Sequence, residues 1–262
     1  MSGSLDGRVA VVAGAGEGIG LSTALALAGE GADLVLGARR AEPLRELADR
    51  VAAQTGRKVL AVPTDIADRD ACHALVGAAA DGLGRVDVVV NVATYNPSGR
   101  VEDLDRDEYR RAFDVNVLGV LEVSRAALPH MRAVGGGSIV QISTEAPRMK
   151  LPYMAAYAST KMAMEIASAT MAREVGRDNI RVNVVVAGYT DNAKLAKYLE
   201  EVAERRGLTA DEVRTEFASS AALRRITQPE DIAEAVLFLA SPRSRGMTGT
   251  VTHVTSGVVL EP

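Results

Sequence analysis

Val9-Ala10-Val11-Val12-Ala13-Gly14-Ala15-Gly16-Glu17-Gly18-Ile19-Gly20 carries five consecutive apolar residues straight into four glycines in seven positions. An unbroken apolar run is what a parallel strand covered on both faces requires. The glycines let the backbone turn tightly and approach a pyrophosphate, whose charge is stabilised at a helix N-terminus. Gly18 to Glu30 reads as that helix. The stretch therefore predicts strand, phosphate-binding turn and helix in that order, the context a glycine motif needs. A tight turn with no ligand would need fewer glycines.

Working outward, the alternation recurs. Asp33 to Leu36, Val59 to Val62, Val86 to Val90, Ile139 to Ile142, Val182 to Val186 and Val251 to Val254 read as further strands. Between them lie helical patterns such as Ala41 to Thr55 and Asp107 to Met131. The expected fold is α/β, a Rossmann-like doubly wound parallel sheet of about seven strands with helices on both faces. The whole chain, 1–262, reads as one dinucleotide-binding and catalytic domain. Only the charged, helical stretch Asp191 to Ser220 breaks the rhythm, and it predicts a substrate-covering lid inserted at about 189–225. The helix after it is expected to open with a capping box of Thr227 and Glu230, with Pro229 in the first turn.

Composition narrows the function classes. The 262 residues are 47% hydrophobic and 24% charged, ordinary values for a globular protein with a sizeable core. The net charge of -4 gives no basic field for nucleic acid. Cys72 is the one cysteine, which excludes an intrachain disulfide and fits a reducing compartment. No apolar run reaches membrane-spanning length, and Met1 to Arg8 has no signal core, so the expected location is the cytoplasm. His73, His130 and His253 lack metal-ligand spacing, and no metal site is expected.

A second stretch carries chemistry. In Tyr157-Ala158-Ser159-Thr160-Lys161, a phenol and an ammonium lie one helical turn apart on one face. A phenol with its ordinary pKa near 10 is a poor base at neutral pH. Lowering that value by about three units takes about 4 kcal/mol, of which a neighbouring cation supplies part. Ser143 lies fourteen positions earlier, just past an apolar stretch, where a strand-end hydroxyl can meet a tyrosine of the next helix. Asn116 is a polar residue inside an otherwise apolar helical pattern, and its alternative reading is a satisfied core amide.

The strand ends suggest a dinucleotide. Ala38 offers no carboxylate for a ribose 2′-hydroxyl, and Arg39 beside it suits a 2′-phosphate, which favours NADP(H) over NAD(H). Glu17 acts in the opposite sense, unless it pairs with Arg39 and leaves the site suited to NAD. Asp65 is a candidate acceptor for the adenine amino group or a loop-capping acid. Asn91-Val92-Ala93 ends the fourth strand, where a ligand would cross the sheet edge.

Together these residues resemble the short-chain dehydrogenase/reductase family over roughly Leu5 to Gly257. The glycine motif corresponds to Gly14, Gly18 and Gly20, and the strand-four motif to Asn91, Val92, Ala93 and Thr94. The catalytic tetrad corresponds to Asn116, Ser143, Tyr157 and Lys161. The chain departs from the family pattern at Ala13, at Thr94, at Ala187-Gly188 and at Asn192. The resemblance implies reversible hydride transfer between NADP (with NAD as alternative) and a secondary alcohol or ketone. It implies that Tyr157 is the acid/base, that Lys161 lowers its pKa and binds the nicotinamide ribose, and that Ser143 binds the substrate oxygen. Asn116 is implied to hold a relay water. Cofactor contacts are implied at Gly14, Glu17, Gly18, Ile19, Gly20, Arg39, Asp65, Ile66, Asn91, Ala93, Tyr157, Lys161, Gly188 and Thr190.

The substrate side is expected from Thr94 to Pro97, Thr144 to Met154 and the insertion. Met149, Tyr153, Met154 and Tyr189 suggest a partly apolar pocket. Glu145 has two readings, a contact to a polar substrate group or a solvent-facing loop acid. By the resemblance, relatives pair through the helices around Asp107 to Met131 and Ala155 to Val175, which implies a homotetramer or homodimer. Two other function classes compete: a catalytically silent dinucleotide-binding regulator, and a nucleotide-sugar epimerase whose extra domain finds no room in this length.

Overall fold

The computed structural model describes residues 3–260. Met1, Ser2, Glu261 and Pro262, at the ends of the expected 1–262 domain, lie outside the described residues. In chain order the elements are β1 (Val9–Ala13), α1 (Ile19–Gly29), β2 (Asp33–Ala38), α2 (Ala41–Thr55), β3 (Val59–Pro63), α3 (Arg69–Leu83) and β4 (Val88–Asn91). There follow α4 (Arg106–Phe113), α5 (Val120–Ala133), β5 (Gly137–Thr144), α6 (Ala146–Met149) and α7 (Ala155–Val175). The chain closes with β6 (Ile180–Ala187), α8 (Ala193–Arg206), α9 (Ala210–Ser220), α10 (Pro229–Ala240) and β7 (Val251–Val254).

The strands form one seven-stranded sheet in the order β3-β2-β1-β4-β5-β6-β7. Every pairing is parallel, which the long helical crossovers require. Every residue of β1 is buried, as its unbroken apolar run demands. Alternate residues supply two cores. Ala10 and Val12 pack with α1 and α10 on one face. Val9, Val11 and Ala13 pack with α3, α5 and α7 on the other. The strand order reverses between β1 and β4, so the crevice at their carboxyl ends is where this architecture places a ligand.

Three local expectations change. The fourth strand begins at Val88, because Asp87 is committed to Arg8, Arg85 and the backbone N–H of Val9. The helical pattern Asp107 to Met131 is divided by a π-helical segment, Asp114–Gly119. Such segments cluster at functional sites, and this one carries Asn116. A Cβ added at Gly119 would lie 2.2 Å from the Ile66 carbonyl oxygen, so the π segment lies hard against the loop after β3. The capping box of α10 belongs to Gln228 and Asp231, whose carboxylate accepts from the Gln228 N–H at 2.9 Å. Thr227 instead bonds Ser256, and Glu230 accepts from Ser22.

The insertion is a helical hairpin with a core of its own. Leu195, Leu199 and Ala203 of α8 pack against Val213 of α9 and against Ile226. Asn192 caps α8 by accepting from the N–H groups of Lys194 and Leu195. Arg214 of α9 pairs with Asp191, which ties the hairpin to the end of the β6 segment.

Candidate active site

On the nucleotide side the glycines are spatial necessities. A Cβ on Gly14 would lie 2.2 Å from the Ala93 nitrogen, and one on Gly20 would lie 2.6 Å from the Gly14 carbonyl oxygen. Ala93 thus packs directly on the glycine turn, its N–H donating to Ala13. Gly18 has a φ of 88°, favourable for glycine, and no side chain caps α1. The space beside Gly16 is open, since a Cβ there would meet nothing within 4 Å. These features fit a dinucleotide pyrophosphate. Ile19 packs back onto the core.

The charged candidates separate. Glu17 pairs with Arg50 at 3.3 Å rather than with Arg39. Arg39 stands exposed at the end of β2 and makes no ion pair among the described residues. Asp65 accepts from the Ala67 N–H and lies 3.5 Å from Arg111, so it holds its loop while remaining partly open. The Ile66 side chain is buried in the core. The Asn91 amide donates to Gln141 at 2.8 Å and Ser124 at 3.2 Å. Gly188 passes so close to Thr255 that a Cβ would lie 2.6 Å from its Cα, and the Thr190 hydroxyl returns to the Gly188 carbonyl at 2.9 Å. Asn192 closes this side, 3.7 Å from where a Gly18 Cβ would be.

On the tyrosine side, Asn116, Ser143, Tyr157 and Lys161 gather at the carboxyl edge of the sheet, around the ends of β4 and β5. Lys161, only 2% exposed, donates from Nζ to the Ile142 carbonyl at 2.8 Å. Its ammonium is 6.0 Å from the centre of the Tyr157 ring. Burial pushes the Lys161 pKa down to about 8, opposed by the charge of Glu165. The hydroxyls of Thr94 and Thr144 favour the ionised form of the Tyr157 phenol. Ser143 donates to Glu165, which is held by Arg148 through contacts of 3.0 and 2.8 Å.

Two roles differ from the residue-level expectation. The chain's own groups raise the Tyr157 pKa instead of lowering it. Burial is the main cause and the Glu145 charge adds to it, while Thr94 and Thr144 act the other way. Lys161 does not offset the burial, since its ammonium donates to a backbone carbonyl. The Asn116 side chain, for its part, is fully subscribed. Its oxygen accepts from the Tyr95 N–H at 2.8 Å and from Thr94 at 3.2 Å. Its nitrogen donates to the Tyr95 carbonyl at 2.7 Å and to Thr160 at 3.0 Å. An amide side chain has two donor and two acceptor places, so a relay water here would be held by the Asn116 main chain and not by its side chain. Asn116 fastens the loop after β4 to α7.

Thr160 and Glu165 bond the candidate residues but were not singled out from the sequence, and Arg148 was covered only by the expected substrate-side stretch Thr144 to Met154. One signal was available for Glu165: Tyr157, Lys161 and Glu165 recur every four residues, which puts the carboxylate on the same helix face.

Glu145 is not a solvent-facing loop acid. It is 3% exposed, and burial raises its pKa to about 7. The sign of the linkage follows. The folded chain holds this proton more tightly than the unfolded chain, whose value is 4.5, so stability is lost as pH rises from about 4.5 to about 7. Above that window the buried anion costs about 3 kcal/mol.

A family model described as Enoyl-(Acyl carrier protein) reductase matches residues 14–259. A short chain dehydrogenase/reductase of Aspergillus oryzae is 36% identical over 98% of this chain and 97% of its own. The 7alpha-hydroxysteroid dehydrogenase of Escherichia coli is 34% identical over 98% of this chain and 96% of its own. A solved structure of a 7alpha-hydroxysteroid dehydrogenase with NADH and 7-oxo glycochenodeoxycholic acid has a TM-score of 0.88 at 32% identity, covering 98% of this chain and 96% of that one. The L-sorbose reductase of Gluconobacter frateurii, solved with NADPH and L-sorbose, has a TM-score of 0.95 at 30% identity and covers 100% of both chains. With that coverage, and with the glycine turn and the tyrosine–lysine helix placed on the two sides of one crevice, the chain belongs to the short-chain dehydrogenase/reductase family of oxidoreductases.

Proposed function

We propose that this protein transfers a hydride between NADP(H) and a small-molecule secondary alcohol or ketone, using Tyr157, Lys161, Ser143 and Asn116. The observation that carries the reading is the placement of those side chains at one edge of the sheet, Asn116 tied to Thr94 and Thr160 and Lys161 to the Ile142 carbonyl, at the same edge as the uncapped start of α1. The nicotinamide supplies the hydride chemistry when bound. Tyr157 donates a proton to the substrate oxygen on reduction and takes it back on oxidation. Ser143 accepts from a carbinol hydroxyl, or turns its proton from Glu165 to a carbonyl oxygen. Lys161 holds positive charge under the site, and Asn116 positions Thr94 and Tyr95. The α8–α9 hairpin is the substrate-side lid in this reading, starting from Asn192 beside Gly18.

The dinucleotide is NADP(H) because Arg39 is free of other ion pairs at the strand end while Glu17 is engaged by Arg50. Turnover of each cofactor with a panel of alcohols and ketones tests this. Arg39→Ala should weaken NADP(H) about tenfold with little effect on NAD(H), the cost of one charge-assisted contact. A parent enzyme preferring NAD(H) tenfold or more contradicts the cofactor assignment. A protein that binds dinucleotide and turns over nothing is the silent regulator instead.

The assembly is a homotetramer in the same reading. Phe113 and Leu118, in the α4–α5 region, and Met162 and Ile166, on α7, leave large apolar side chains exposed, Ile166 by 65%. Light scattering should return a multiple of the 27.5 kDa chain, and a monomer at micromolar concentration contradicts it. No described helix is long and apolar enough to cross a membrane.

A further inference from the structure

Among the described residues three acidic side chains are buried, and two of them are paired with arginines. Asp87 is held by Arg8, Arg85 and the Val9 N–H. Glu165 is held by Arg148 and Ser143. Glu145 is different. Among the described residues its Oε2 has no hydrogen-bond partner. A buried polar group left unsatisfied costs free energy, and each such group calls for an explanation.

The position of Glu145 supplies one. It lies two residues beyond Ser143, just past the end of β5, at the carboxyl edge of the sheet. Its backbone is pinned, with the N–H donating to the Ala187 carbonyl at 3.3 Å and its own carbonyl accepting from Arg148 and Met149. The bond to Ala187 sets it beside the end of β6, and its charge raises the pKa of the phenols of both Tyr157 and Tyr189. An unpaired acceptor held rigidly beside the reacting centre is a place for a substrate donor.

Resting on the oxidoreductase reading above, we propose that Glu145 determines specificity by accepting a hydrogen bond from a hydroxyl on the carbon next to the reacting one. The site thereby selects vicinal diols and their hydroxyketones over compounds with a single oxygen. The reaction balances as diol plus oxidised cofactor giving hydroxyketone, reduced cofactor and one proton. A neutral hydroxyl suits the carboxyl in either protonation state. An ammonium group would need the anion and would add a second cation near Lys161, at a Coulomb cost. A site built to bond a hydroxyl rejects the analogue that lacks it, because its own polar group is then left unpaired.

The test compares 2,3-butanediol with 2-butanol, and 1,2-cyclohexanediol with cyclohexanol, with NADP and NAD, in the parent, Glu145→Gln and Glu145→Leu. The parent should prefer the diols in kcat/KM by about 100-fold or more. Glu145→Gln, which keeps an acceptor oxygen, should retain most of that preference. Glu145→Leu should lose it, the diols falling and the mono-alcohols rising. A parent that oxidises diols and mono-alcohols equally, or a leucine variant that lowers both by one factor, overturns the inference while leaving the oxidoreductase reading intact. A preference for 3-amino-2-butanol over 2,3-butanediol also overturns it, since the partner is then a cation. No turnover of any member with either cofactor removes the underlying reading and the inference together.

Discussion

Tyr157→Phe is expected to fold, bind dinucleotide and lose about 10²- to 10⁴-fold in kcat, the range that a positioned acid/base contributes. The substitution deletes one hydroxyl from a residue whose ring centre lies 6.0 Å from the Lys161 ammonium. Phenylalanine fills the same ring volume, so the fold should survive. Because the chain's own groups raise the Tyr157 pKa, the resting phenol carries its proton and is ready to donate it to a developing alkoxide. Oxidation needs the phenolate and should therefore quicken as pH rises, a dependence that disappears with the hydroxyl. Steady-state kinetics over pH, with dinucleotide binding measured separately, checks both points. Near-parental kcat in the phenylalanine variant would remove Tyr157 from the mechanism.

Arg148→Met is expected to be the most destabilising single change near the site. Arg148 and Glu165 are 9% and 5% exposed and meet through two contacts. Removing one partner of a buried ion pair leaves the other charge uncompensated, at a cost of about 3–5 kcal/mol. For a chain of this size that corresponds to a fall in thermal midpoint of about 10 °C. Replacing Glu165 as well, in Arg148→Met/Glu165→Met, should restore much of the loss, because two apolar side chains can occupy the space without a stranded charge. Differential scanning calorimetry on both variants decides it. A single variant within a degree or two of the parent would mean that the pair contributes little.

The fold was legible because periodicity and punctuation act locally. The bounds of β1, α2 and β7 follow directly from apolar runs and their flanks. Ser143, Tyr157 and Lys161 could be picked out because they stand at a strand end or on one helix face, and Asn116 because it is polar inside an apolar helical pattern. What the residues did not reveal depends on direction and packing. Whether Lys161 aims at the phenol or at the Ile142 carbonyl is decided by how β5 lies under α7. Asn116 fastens Tyr95, twenty-one positions away, a pairing that no local pattern encodes. The Arg148–Glu165 pair joins α6 to α7 across seventeen positions. The burial of Glu145 arises only when the ends of β5 and β6 close over it. The shifted capping box has the same origin, since Thr227 is drawn off to Ser256 by the segment after β7.

In the proposed reaction a hydride moves directly between a carbinol carbon and the nicotinamide, in the crevice between the glycine turn and Tyr157. The decisive measurement is oxidation of an alcohol carrying deuterium on its carbinol carbon, with mass spectrometry of the reduced dinucleotide. One deuterium is expected in each reduced cofactor, together with a slower rate than with the unlabelled alcohol. Reduced cofactor without the label, or no reduced cofactor with any alcohol of the panel, would overturn direct transfer.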